Sequence, residues 1–139
     1  MKIQLRQISA SASEATIGRH RVPIDRPAVK GGADAGPMGG ELFLAAVGGC
    51  FMSNLLAAIR ARDAEISDVS VEVVGSIVDS PARFAGVELR VAAKSRDREL
   101  LERLVGIADR GCIMMNTLRG TLEVRVLTGE AALTPHAAG

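Results

Sequence analysis

The chain is short of aromatic residues, with no Trp, no Tyr and three Phe in 139 residues. That shortage excludes the stacking platforms that hold the bases of single-stranded nucleic acid. Val, Leu, Ile, Ala and Met must fill the core instead. An excess of either charge is also missing. Lys and Arg total 17 against 16 Asp and Glu, a net charge of +1. No cationic footprint for phosphate backbones or anionic lipid follows from that balance. Cysteine is scarce: Cys50 and Cys112 alone cannot staple a secreted scaffold. The only histidines, His20 and His136, show no ligand spacing with a cysteine, so no metal site is expected. The first ten residues, MKIQLRQISA, hold no continuous apolar run, so no signal peptide is expected. The expected compartment is the reducing cytoplasm, where two-cysteine chemistry is transient and catalytic or absent.

What is present is 47% hydrophobic and 24% charged, the mix of a soluble globular protein. One domain over residues 1–139 is expected, with a poorly ordered tail over 130–139. Residues 2–7 and 14–24 alternate weakly and predict two or three short strands. A Gly- and Pro-dense loop follows over 25–40, and loops of that length are usually functional or disordered. Residues 42–59 carry no charge at all. The length approaches that of a membrane span. However, Gly48, Gly49, Ser53 and Asn54 interrupt it, and Arg60, Arg62 and Asp63 follow at once. A central helix covered on most sides by protein is the better reading, with no membrane partner. Its two adjacent glycines are tolerated where another backbone approaches closely.

Alternation at Val69, Val71 and Val73, and again at Val87, Leu89 and Val91, predicts a hairpin turning through DSPARFAG. The period then changes to helical over 96–109. Leu100, Leu101, Leu104, Val105 and Ala108 share one face, Ser95 or Asp97 can cap the start, and Glu99 can pair with Arg103. A short apolar turn, 112–118, leads to a last strand through Leu122, Val124 and Val126. The order predicts an α+β fold with antiparallel sheet. One half-wet sheet covers only one side of an apolar helix, so a homodimer enclosing the central helices is expected.

Each cysteine alone is best read as a small packing residue. As a pair they invite chemistry. A helix N-terminus or an adjacent Arg makes a thiol more acidic. Cys112 heads its own turn, and Cys50 heads a helix only if Gly48–Gly49 breaks the long one. Arg19, Arg21 and Arg26 are the upstream candidates for a guanidinium, although a solvated strand residue is the better reading of any one of them. Glu41 can complement the helix dipole or orient an Arg through a bidentate pair. Met114 and Met115 can pack the core or line an apolar pocket. The glycine-rich loop lacks the G-K-[ST] ending of a phosphate loop. His20 lacks the nucleophile motif that a general base would serve.

The run GGADAGPMGGELFLAAVGGCF resembles the OsmC/Ohr family, which carries a Gly-Pro loop and then E-L-L-x-A-A-x-x-x-C on a long central helix. GCIMMNTL resembles the family's second motif, a Cys opening a short turn before the last strand. The likeness runs over roughly residues 15–127 and is nearest to the OsmC-like branch. It implies an OsmC-like fold with antiparallel sheets around a long central helix, in an intertwined homodimer. It also implies thiol-dependent reduction of a small organic hydroperoxide, without metal or organic cofactor, with an external dithiol as reductant. On that reading Cys50 is the peroxidatic thiol, Cys112 the resolving thiol and Arg19 the active-site guanidinium, while Glu41 is the helix-start carboxylate of the OsmC-like branch, a place that leaves Arg19 with a different partner or none. Phe43, Phe51, Met114 and Met115 supply an apolar substrate lining. This chain departs from the pattern at Ile113, where the family usually has Pro. Glu41 lies nine positions before Cys50, and the tenth is Gly40. The alternative is a non-catalytic protein that binds a small hydrophobic ligand in the dimer cleft.

Overall fold

The short strands come first because residues 4–24 alternate over stretches too brief to make long ones. The fold is described from a computed structural model, over residues 1–129; the expected tail, 130–139 with His136, lies outside the described residues. Strands β1 (Gln4–Gln7), β2 (Ser13–Ile17) and β3 (His20–Ile24) form an antiparallel sheet in that order. Glu14 on β2 accepts from Arg6 and Arg21 on one face of this sheet, at 3.1 and 3.3 Å. The register puts Leu5 opposite Ala15, and Ala15 opposite Val22, on the other face. Ala15 is buried, while Leu5 and Ile17 remain exposed.

Contacts divide the chain into two compact units, Met1–Phe43 and Leu44–Gly139. Helix α1, Gly39–Ala61, starts at the end of the first and continues into the second. The second unit holds β4 (Ile66–Val78), β5 (Arg83–Ser95), α2 (Arg98–Gly111), α3 (Ile113–Leu118) and β6 (Glu123–Thr128). Its core joins Val47, Phe51 and Leu55 of α1 to Val87, Leu89 and Val91 of β5 and to Leu101, Leu104, Val105 and Ala108 of α2. By length and composition α1 could cross a membrane. Its fully buried Val47, Phe51 and Leu55 instead give it the character of a core helix.

The backbone approach expected at the two glycines is corrected: at Gly48 the close neighbour is a side chain, and at Gly49 a Cβ would meet nothing within 4 Å. A Cβ at Gly48 would meet the Val73 side chain on β4 at 2.5 Å, so only glycine lets the helix lie this near the sheet. Helix α1 runs unbroken through Gly48 and Gly49. The opposite face, at Ala45, Ala46, Gly49, Ser53, Leu56 and Ala57, is exposed.

The α+β class is present, with one correction. β4 and β5 pair antiparallel, but β5 and β6 pair parallel. The reason is the connection: α2 and α3 carry the chain back along the sheet, so β6 starts from the end where β5 began, the usual crossover geometry. Alternating strands look the same in sequence whichever way they run. α2 is capped by Asp97, whose carboxylate accepts from the Leu100 N–H at 2.9 Å, worth about 1 kcal/mol. The i,i+4 ion pair on this helix joins Arg98 to Glu102, not Glu99 to Arg103.

Candidate active site

The site begins with two residues that are far apart in sequence. Cys50 sits on α1, one turn from the core-facing Val47 and beside Phe51. Cys112 sits at the joint between α2 and α3. There α2 has spent its last turn, and the backbone adopts an extended conformation for one residue before α3 starts. The two sulfurs lie 3.3 Å apart, with the Cys112 thiol donating to Cys50 Sγ. Both are free thiols. A disulfide is about 2.05 Å long, so the bond requires a shift of little more than an ångström.

The two thiols differ in exposure. Cys112 is wholly buried, while Cys50 is half-buried and reachable. Burial pushes the Cys112 thiol above its ordinary range, and the neighbouring Cys50 adds to this, against the pull of the Met115 and Met114 backbone N–H groups. Cys112 therefore keeps its proton near neutrality and offers it to the more accessible sulfur. The condition under which Cys50 would head a helix, a break at Gly48–Gly49, is not met, because α1 is continuous there. Cys50 is eleven residues beyond its first residue, Gly39, and gains nothing from the terminal N–H groups.

Of the expected lining, Phe51 and Met115 are fully buried and pack the core, whereas Met114 is half-buried. Ile113, in the position where the family usually has Pro, is 70% exposed immediately beside Cys112. Arg19, Glu41 and Phe43 belong to the first unit. Arg19 is exposed in the turn between β2 and β3, and Phe43 is half-buried. The Glu41 carboxylate accepts the Met38 N–H at 2.9 Å, which is half of a capping box at the start of α1. Among the described residues Glu41 makes no ion pair. No group of three or more metal-ligating side chains occurs among the described residues.

Two polar arrangements escaped the sequence reading. Asp25 is 3% exposed. Its carboxylate accepts from the backbone of Arg26 at 2.7 Å, Ala33 at 3.0 Å and Ala35 at 3.1 Å. This one side chain orders the loop expected to be functional or disordered. Burial pushes its pKa up, but the N–H groups of Ala35, Arg26 and Ala33 and the Ser11 hydroxyl outweigh that and hold it below the usual carboxylate range. The Asp-Arg-Pro sequence at 25–27 was the available signal, since Asp before a turn commonly binds backbone N–H groups. The second arrangement surrounds Cys112. Arg119 donates to Asp109 and, at 2.6 Å, to Asn116 Oδ1. Asn116 in turn donates to the Arg110 carbonyl at 3.0 Å. Residues ten apart across a chain reversal carry no spacing signal.

The family model for OsmC-like proteins matches residues 31–126. No curated protein matches the sequence. Among solved structures, an OsmC-like protein from Mycoplasma pneumoniae aligns with a TM-score of 0.80 at 18% identity, over 92% of this chain and 94% of that one. An organic hydroperoxide resistance protein OsmC from Legionella pneumophila aligns with a TM-score of 0.74 at 21% identity, over 94% and 98%. The organic hydroperoxide resistance protein OhrB of Bacillus subtilis aligns with a TM-score of 0.70 at 27% identity, over 92% and 96%. The first two likenesses are of fold alone. The family match, in contrast, spans both motifs and both cysteines, and by it the chain belongs to the OsmC-like protein family.

Proposed function

We propose that this protein is a thiol peroxidase that reduces organic hydroperoxides. The observation that carries the reading is the 3.3 Å approach of Cys50 and Cys112, one sulfur half-buried and the other sealed. Cys50, as thiolate, attacks the terminal oxygen of ROOH. The O–O bond breaks, Cys50 becomes sulfenic acid, and the alkoxide takes a proton to leave as ROH. Cys112 then attacks the Cys50 sulfur. The S–S bond forms, and the hydroxyl departs with the Cys112 proton as water. An external dithiol restores both thiols by exchange and is itself oxidised to a disulfide. The cycle uses no metal or organic cofactor and suits a reducing cytoplasm.

Arg19 is the proposed guanidinium for the thiolate and the peroxide oxygen, and Glu41 the carboxylate at the start of the helix that carries Cys50. Phe43, Met114 and the buried Phe51 and Met115 give an apolar surrounding suited to an alkyl substrate. A homodimer is the proposed assembly, because one face of α1 at Ala45, Gly49, Leu56 and Ala57 is apolar and exposed in the single chain. Over a ligand-binding role, the reading is favoured by the sulfur contact, which simple packing does not require.

The test mixes reduced protein with cumene hydroperoxide and counts free thiols. Loss of two thiols per chain with one equivalent of peroxide is expected, and Cys50→Ser should lower turnover at least 100-fold. Thiols that stay reduced, or a Cys50→Ser variant as active as the parent, would end the proposal.

A further inference from the structure

We infer that Asp109, Asn116 and Arg119 form a positioning clasp that holds Cys112 at attack distance from Cys50 and so sets how often the oxidised enzyme resolves instead of over-oxidising. The inference rests on the peroxidase reading and adds residues that act through Cys112.

The geometry is specific to the joint. One guanidinium forks, sending Nη2 to the Asp109 carboxylate on the last turn of α2 and Nη1 to Asn116 on α3. Asn116 closes the ring with its Nδ2 on the Arg110 carbonyl. Within the ring the Cys112 N–H donates to the Asp109 carbonyl at 3.2 Å, and the Cys112 carbonyl accepts the Asn116 N–H at 2.9 Å. The backbone of Cys112 is thus gripped on both sides by residues that the clasp itself ties together. Below the ring, Met115 and Leu118 are buried and fix the depth of the turn.

The Arg119 and Asp109 side chains are 39% and 26% exposed. Ion pairs this open add little to overall stability. Position is what the clasp controls. After Cys50 has become a sulfenic acid, two reactions compete. In one, Cys112 attacks, giving the disulfide and water. In the other, a second hydroperoxide delivers oxygen to the sulfenic sulfur, giving sulfinic acid and ROH. The first depends on how long Cys112 stays near 3.3 Å from the Cys50 sulfur. The second does not. In a chain whose turn begins Cys-Ile, with no ring to stiffen the residue after the cysteine, side-chain links supply the rigidity that Pro gives by fixing φ.

Arg119→Ala and Asn116→Ala cut the clasp at different links. Each should leave the first step, sulfenic acid formation trapped by dimedone in a Cys112→Ser background, within two-fold of the parent. Each should slow disulfide closure about five-fold and raise the sulfinic acid fraction, read by intact mass, by a similar factor. In dithiothreitol buffers the disulfide should become about five-fold easier to reduce, a shift of about 20 mV. Arg119→Lys, which keeps the charge but loses the fork, should fall between. The double variant should be no worse than either single one, because both break one ring. Closure rate and reduction equilibrium within two-fold of the parent in a folded single variant would overturn the inference. Both positions are surface ones, so either variant alone decides. The reduction equilibrium needs no peroxide, so a parent inert to hydroperoxides ends the peroxidase proposal while the clasp is still judged.

Discussion

The loop after β3 and the turn after α2 solve the same problem in opposite ways. Each must hold a stretch of irregular backbone in one shape. The loop uses a charge: the buried Asp25 carboxylate gathers three backbone N–H groups, and glycines let strands of backbone touch. The Cys112 turn uses oil: Cys112 and Met115 are fully buried, and polar links are left to the surface. A carboxylate that faces several N–H donors is held best while ionised, because each donor favours the charged form. A buried thiol is secure while protonated. The first device is therefore sensitive to acid, and the second to oxidants and base. That division suits the thiol chemistry proposed for the turn.

The comparison breaks most visibly at the oily turn. Met115 is 0% exposed, and truncating a buried Met to Ala costs about 2–5 kcal/mol. Met115→Ala should lower stability to chemical denaturation by that amount. It should also slow disulfide closure, because Cys112 loses the floor beneath it. A loss under 1 kcal/mol would mean that the turn is not held by burial.

The loop should break next, and by backbone contact alone. A Cβ on Gly32 would lie 1.9 Å from the Arg26 carbonyl oxygen, and one on Gly36 2.2 Å from the Pro23 carbonyl oxygen. Neither partner is the yielding end of a side chain. Gly32→Ala should cost about 1–3 kcal/mol and expose the loop to proteolysis, while leaving the Cys50–Cys112 reduction equilibrium at the parent value. Gly48→Ala meets a Val73 methyl at 2.5 Å instead, and should cost about the same, but within the second unit. A redox shift in the loop variant would undo the separation drawn between the two regions.

These regions also differ in how plainly the sequence announced them. Alternation at Val87, Leu89 and Val91 and helical spacing at Leu101, Leu104 and Ala108 located β5 and α2 because burial imposes those periods directly. The glycine pair signalled crowding but not its source, a Val73 side chain at Gly48 where a backbone was expected. The direction of β6 was not legible, since a period of two carries no sense of direction. The uninterrupted α1 was legible as one central helix in the charge-free run 42–59. Its buried Val47, Phe51 and Leu55 hold the helix together through two glycines that favour a break by propensity alone. At the site, Cys50 and Cys112 were visible as residue types in familiar surroundings, but their contact is a tertiary fact. Asp25 looked like an ordinary turn residue because nothing local shows that its carboxylate is buried. The clasp joins Asp109 to Arg119 across a chain reversal whose angle depends on packing.

The smallest effect at neutral pH, and the sharpest test of the contrast, lies at Asp25. Its folded pKa is held below the ordinary carboxylate value, burial being outweighed by the N–H groups of Ala35, Arg26 and Ala33 and the Ser11 hydroxyl. Below an unfolded value of about 3.9, the unfolded chain binds a proton that the folded loop refuses. Stability from this group is therefore fully present above that value and is lost as pH falls through the folded pKa. Asp25→Asn removes the titration. One amide oxygen can still accept, but the –NH2 must then face N–H donors. At pH 7 the variant should be modestly less stable than the parent. As pH falls from about 5 to about 2 the gap should narrow, because the parent loses the advantage of its charge while the variant has none to lose. Urea midpoints across that range would show converging curves. Parallel curves would mean that the carboxylate is not what holds the loop, and the acid-sensitive half of the comparison would fail with it.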